Sequence, residues 1–146
     1  MILNQDFKEF FQLLNENKVQ YLIVGGYAVA YHGYPRYTKD IDIWLLIDPD
    51  NAQKVVKTLL DFGFGSLGLK ESDFLEDDTM IQLGYAPNRI DLIMGLSGVN
   101  FEACFATKIE VDVDGVKLFF IDLENLKKAK KAAGRIQDLA DIENLR

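Results

Sequence analysis

Two acidic residues set one position apart inside an apolar run constrain this chain more than any other feature. Asp40-Ile41-Asp42-Ile43-Trp44-Leu45-Leu46 is apolar enough to be a strand. Alternate residues of a strand share a face, so both carboxylates point the same way. Side by side they repel unless a cation sits between them, and oxygen ligands at that spacing suit a hard divalent ion such as Mg²⁺. An edge strand guarded by charge is the plainer reading. Against it, the alternating Ile41, Ile43 and Leu45 imply a buried strand, where unpaired acids are costly. Upstream, the apolar strand Val19-Gln20-Tyr21-Leu22-Ile23-Val24 runs into Gly25-Gly26. A turn without side chains at the start of a helix lets backbone N–H groups approach a phosphate closely. A divalent ion beside a phosphate points to nucleotide chemistry.

The order of these features (apolar strand, Gly-Gly, short helix, Asp-x-Asp) resembles the nucleotidyltransferase fold of the DNA polymerase β superfamily. Within it, Arg36-Tyr37-Thr38-Lys39-Asp40-Ile41-Asp42 is similar to the Arg-x-Thr-x-Asp-Ile-Asp signature of the AbiEii-like and related minimal nucleotidyltransferases. The resemblance implies a third carboxylate on a later apolar strand, and Asn88-Arg89-Ile90-Asp91-Leu92-Ile93-Met94 supplies it at Asp91. The stretch from Leu126 to Ile142 resembles the helical Lys, Arg and Lys/Arg-Asp element of the same branch. The match runs from about Val19 to the end of the chain.

A chain of 146 residues fits one domain, residues 1–146. By size it buries roughly 68–70% of its unfolded surface, enough to fold without a metal or disulfide staple. There is no uncharged apolar run of the ~20 residues a membrane helix needs, and MILNQDFKEF lacks a basic region followed by an apolar core. The expectation is a soluble, cytoplasmic protein. Cys104 is the only cysteine, and nothing beside it marks a nucleophile, so it reads as a small core residue.

A formal charge of −7 argues against a general nucleic-acid binder. One dense basic patch stands out, formed by Lys127, Lys128, Lys130, Lys131 and Arg135. It reads either as a solvated helix face or as a docking surface for nucleotide phosphates or an RNA acceptor. Lys130, Gly134 and Asp138 fall at helical i, i+4, i+8 spacing, a stripe that could face the metal site. A glycine within a helix costs up to ~1 kcal/mol and calls for a reason such as close approach.

Apolar spacing at Phe7, Phe10, Phe11 and Leu14 predicts a first helix with Asp6 as its N-cap. Strand one follows at 20–24, then a helix from Gly26 to about His32-Gly33, strand two at 40–47 and a helix over 50–62. Residues 79–85 and 89–94 read as a hairpin. A second hairpin, 110–113 with 116–120, turns at Asp114-Gly115. Helices over about 122–132 and 135–145 close the chain. The fold class is α+β: a mixed β-sheet flanked by helices, with C-terminal helices. Asp112-Val113-Asp114 also spells Asp-x-Asp, but its last residue is consumed by the turn. Glu76-Asp77-Asp78 reads as a solvated loop, and His32, the sole histidine, as a capping or packing residue rather than a general base.

The resemblance implies residue roles. An NTP triphosphate would rest on the N–H groups of Gly25 and Gly26. Asp40 and Asp42 would hold the Mg²⁺ (or Mn²⁺) that bridges the phosphates, and Asp91 would complete a second ion site. Arg36 and Lys130 are candidates to neutralise phosphate charge, Thr38 to orient the strand entry or bind a phosphate, and Arg135 and Asp138 to support Lys130. The reaction implied is transfer of a nucleoside monophosphate to an acceptor hydroxyl on RNA, protein or a small molecule, with a toxin–antitoxin-like setting among the contexts of the branch. Only about 55 residues follow Asp91. The acceptor site must therefore come from the C-terminal helices, a homodimer partner or a cognate second protein. A non-catalytic nucleotide- or partner-binding module of the same fold is the competing class. Three mutually repelling acids kept together argue against it. An interaction protein with an exposed apolar patch at Phe101, Phe105, Phe119 and Phe120 is a third possibility.

Overall fold

Residues 3–34, 40–84 and 89–145 are described in the structure, a computed structural model. The chain enters through α1 (Gln5–Glu16), whose Phe7, Phe10, Phe11 and Leu14 form one buried face as their spacing requires. Its N-cap is Asn4, which accepts a hydrogen bond from the Phe7 N–H at 2.8 Å. Asp6, expected as the cap, lies in the first turn instead, where a negative charge favours the positive end of the helix.

Strand β1 (Tyr21–Val24) is buried along its whole length and passes directly into α2 (Gly25–Tyr31), one residue earlier than expected. Strand β2 (Ile41–Leu45) follows, then α3 (Pro49–Phe62), capped by Asp48 and opened by a proline where no N–H is needed. Asn51 in the first turn of α3 is buried. It accepts from the Gln20 N–H at 2.8 Å and donates to the Gln20 and Leu46 carbonyls at 3.1 and 3.0 Å. That clamp ties the entry of β1 to the exit of β2. Two short 3₁₀ turns, at 65–67 and 71–74, lead to β3 (Thr79–Leu83) and β4 (Ile90–Met94). A six-residue helix, α4 (Phe101–Ala106), precedes the hairpin of β5 (Ile109–Val113) and β6 (Val116–Phe120). The chain ends in α5 (Leu123–Ala133) and α6 (Ile136–Asn144).

The six strands form one mixed sheet in the order β3-β4-β2-β1-β6-β5. The two hairpins, β3–β4 and β5–β6, are antiparallel as expected. Asp114 and Gly115, at φ 51° and 83°, make the tight turn of the second, so Asp112-Val113-Asp114 is hairpin and nothing more. β1 pairs antiparallel with β2, whereas β2 pairs parallel with β4. The parallel pairing positions the site, because it brings residues 49 apart in sequence into lateral register.

His32 caps α2 and places Nε2 2.8 Å from the Ile121 carbonyl oxygen, a packing role. Cys104 is buried in α4. Phe101 and Phe120 are buried too, while Phe105 and Phe119 are half-buried and packed on the core, so the four do not make an exposed apolar patch. No helix among the described residues is long and apolar enough to cross a membrane.

Candidate active site

Within the β2–β4 ladder Asp42 lies directly across from Asp91. Side chains opposite each other in register share a face, so the two carboxyls meet, and they share a hydrogen bond. Burial, then the charge and hydrogen bond of Asp91 and the charge of Asp40, push the Asp42 carboxyl up to about 7, against a smaller opposing pull from Lys130. Asp91, almost fully buried, is also raised, by burial first and with Arg89 working the other way. Like charges this close cannot both ionise cheaply, and the pair therefore retains a proton well above the ordinary carboxylate range.

Asp40 stands just ahead of β2, half-buried, and forms a close ion pair with the Arg89 guanidinium. The same guanidinium places Nε 3.4 Å from Asp91 Oδ1. That separation is an ion pair without the alignment of a hydrogen bond, since both atoms are buried with no hydrogen-bond partner. Arg89 thus bridges two of the three aspartates. In the sequence Arg89, like Arg36, is a candidate partner for Asp91; its reach to Asp40 depends on the parallel pairing, in which Ile41 N–H also donates to the Arg89 carbonyl at 3.1 Å.

Gly25 has a role the sequence did not reveal. Its φ is +66°, and a Cβ there would overlap Asp42 Oδ2. The position is glycine because the carboxylate of β2 occupies the space a side chain would need. Gly26 is buried in the first turn of α2. Tyr27 turns its ring edge-on to Phe7 and Tyr31 stacks on Phe120 at 4.7 Å, so each of these two bulky residues is engaged in aromatic packing. Arg36 and Thr38 lie outside the described residues.

Across the cleft, the expected stripe on a single helix is replaced by a helix-turn-helix. Gly134, at φ 67°, ends α5 as its C-cap, and α6 begins two residues later. Lys130 and Asp138 nevertheless meet, because α6 folds back against α5. Lys130 Nζ is 3.1 Å from Asp138 Oδ1 and 3.0 Å from Asp141 Oδ2, with all three residues buried. Arg135, mostly exposed, reaches Asp138 Oδ2 through Nε at 2.6 Å and Oδ1 through its terminal nitrogen at 3.3 Å. The hydrogen bonds of Arg135 and Lys130 hold the Asp138 carboxyl below its usual range although burial pulls the other way. Asp141, fully buried and also bonded by Gln137 at 2.8 Å, was missed. Its spacing of three from Asp138 on one helix was the available signal. The basic patch is therefore divided: Lys130 points inward, while Lys128 and Lys131 are exposed.

A cleft of about 100 Å³ joins the two groups, walled by Val24, Ile93, Leu126 and Ala129, with Asp42 at one side and Lys130 at the other. Among the described residues no three Asp, Glu, His or Cys side chains converge into an ion-holding group. This is consistent with Asp40 being drawn onto Arg89. Asp42 and Asp91 do fit a divalent ion as a pair. Mg²⁺ is commonly held by one or two carboxylates and completed by substrate phosphates, and the buried Asp91 Oδ1 has no hydrogen-bond partner that a cation would have to displace.

Comparison with known proteins identifies the fold and the family. No curated protein matches the chain in sequence. Solved structures do, at low identity. A Thermotoga maritima protein described as a candidate nucleotidyltransferase superposes with a TM-score of 0.60 at 18% identity, covering 94% of this chain and 88% of that one. The lincosamide antibiotic adenylyltransferase LnuA, solved with lincomycin bound, gives 0.57 at 18% identity over 99% and 96%. An antigenic nucleotidyltransferase-like protein from Paracoccidioides brasiliensis gives 0.56 at 16% over 98% and 77%. These likenesses establish the fold. The family itself is fixed by a match over residues 2–146 to the model described as "nucleotidyltransferase of unknown function (DUF6036)"; the chain belongs to that family and is a nucleotidyltransferase.

Proposed function

We propose that the chain transfers a nucleoside monophosphate from an NTP to an acceptor hydroxyl, using Mg²⁺ or Mn²⁺ held first by Asp42 and Asp91 and then also by Asp40. The observation that carries this reading is the lateral register of Asp42 and Asp91, two acids held together where only a cation or a proton relieves them. The bound ion would supply charge neutralisation on the phosphates and lower the pKa of the attacking hydroxyl. The chain's own residues do the rest. The backbone N–H groups of Gly25 and Gly26 at the end of β1 are assigned to phosphate contact, as are the side chains of Arg36, Thr38 and Lys130. Asp138 and Arg135 orient Lys130. The acceptor oxygen forms a bond to the α-phosphorus as the bond to pyrophosphate breaks; its proton passes to a carboxylate or to water.

A small-molecule hydroxyl is the acceptor this site favours over RNA or protein. The cleft beside Asp42 is small and mostly apolar. LnuA, of similar fold, was solved with an antibiotic bound. Residues 36–42 favour the AbiEii-like branch, and with it a cytoplasmic protein working with a second copy or a cognate partner in a toxin–antitoxin-like setting. The test is transfer of label from α-labelled NTPs with Mg²⁺ or Mn²⁺ into cell RNA, protein and a low-molecular-weight extract, comparing the parent with Asp42→Asn. Label confined to the parent and to the small-molecule fraction is the expected result. Equal labelling by Asp42→Asn would remove the metal role, and label in RNA would replace the acceptor assignment.

A further inference from the structure

We infer that Arg89 is a built-in cation that competes with the second divalent ion, so that the first ion enters on Asp42 and Asp91 while Asp40 becomes a ligand only when Arg89 is displaced. This rests on the metal-dependent reading above. The guanidinium already lies between Asp40 and Asp91, the position a cation shared by those two carboxylates would take, with an ion pair to one and a 3.4 Å approach to the other. Two cations cannot share that space. Charge counting leads to the same order of events. Fully ionised, the three aspartates carry three negative charges; among the described residues Arg89 pairs with one of them, and a single divalent ion matches the other two. Nearby, Lys130 and Arg135 are already ion-paired with Asp138 and Asp141. A second ion therefore becomes favourable only when a triphosphate brings further negative charge, and Arg89 then leaves Asp40. Arg89 is a positioning residue in this scheme: it acts through Asp40 and Asp91.

The inference is tested by Mn²⁺ titration, counting bound ions by the loss of the free-ion electron paramagnetic resonance signal, with and without a non-hydrolysable α,β-methylene NTP. The parent should bind one ion alone and a second, weaker one only with nucleotide. Arg89→Met should tighten the second site at least tenfold or admit it without nucleotide, and Arg89→Lys should behave like the parent. Asp40→Asn in the parent should keep the first ion and lose the second, a result independent of whether Arg89→Met folds. Parent-like stoichiometry and affinity in a folded Arg89→Met, or a second ion retained by Asp40→Asn, would overturn the role of Arg89 while leaving the Asp42–Asp91 ion intact. Absence of any ion in the parent, with Asp42→Asn indistinguishable from it, would overturn the metal-dependent reading itself and the inference with it.

Discussion

Two groups of aspartates border one cleft and are balanced in opposite ways. Asp40 and Asp91 share the partly exposed Arg89, Asp42 feels only the weaker pull of Lys130, and Asp42 and Asp91 are pushed toward holding a proton. Asp138 and Asp141 share a buried lysine and an exposed arginine, and Asp138 is pushed toward losing its proton. The same side chain is thus under-compensated on β2 and β4 and fully compensated on α6. On the metal-dependent reading proposed above, the first group is short of the cation that a divalent ion would supply, while the second is already balanced.

The largest effect should come from removing the compensation. Lys130→Met removes the lysine 3.0 Å from the fully buried Asp141, and breaking a buried pair from one side costs about 3–5 kcal/mol. Urea denaturation should show that loss, and adding Asp141→Leu should recover a large part of it. If the double variant is no more stable than the single one, the pairing is not what Lys130 contributes. Asp42→Asn should act in the other direction, raising the stability of the metal-free protein at pH 8 by roughly 2–4 kcal/mol while abolishing transfer.

The sign follows from linkage. Asp42 titrates near 7 when folded and near its ordinary 3.8 when unfolded, so between those values the folded state holds more protons. Metal-free stability should fall as pH rises from about 4 to 7, and Mg²⁺ with nucleotide should restore it above pH 7. Asp138 works oppositely: its folded value is depressed, so its contribution is present above the unfolded pKa and lost as pH falls through the folded one. A metal-free melting temperature that is flat from pH 5 to 8 in the parent, or that falls over this range just as steeply in Asp42→Asn, would mean that Asp42 does not carry the dependence described.

Gly25→Ala sharpens the contrast from the backbone side. At φ +66° with Asp42 Oδ2 in the way of a Cβ, alanine should cost about 1–3 kcal/mol and displace the very carboxylate that pairs with Asp91. A folded Gly25→Ala that still binds Mn²⁺ with parent affinity would show the overlap to be relieved elsewhere.

Most of the sheet was legible because β1, β2 and β4 are nearly continuous apolar runs, β3, β5 and β6 alternate, and the last hairpin carries turn residues at Asp114-Gly115. Asp40, Asp42 and Asp91 were visible as acids in apolar runs. What could not be read was their partnership. That Asp42 faces Asp91, and that Arg89 reaches Asp40, both depend on β2 and β4 pairing in parallel, and no local pattern encodes which strands become neighbours. Asp141 was hidden for a related reason, since its lysine lies on another helix across the Gly134 turn. Helix α4 and the two 3₁₀ turns were too short for a hydrophobic period to register. Asn4 displaced Asp6 as the first cap because either residue can cap, and which does so depends on where the apolar face of α1 meets the sheet.

The smallest expected effect isolates burial from pairing. Arg135 and Lys130 both bind Asp138, but 78% of the Arg135 side chain is exposed against 9% for Lys130. Solvent screens the first pair and not the second, so Arg135→Ala should cost no more than about 1 kcal/mol where Lys130→Met costs several times as much. Asp138 would keep Lys130 as a partner in that variant, whereas Lys130→Met takes from both Asp138 and Asp141 the buried lysine they share. Comparable losses from the two substitutions would mean that Arg135 is structural in its own right. A small loss of stability together with a raised KM for NTP would instead mark it as a cation available to the cleft it lines.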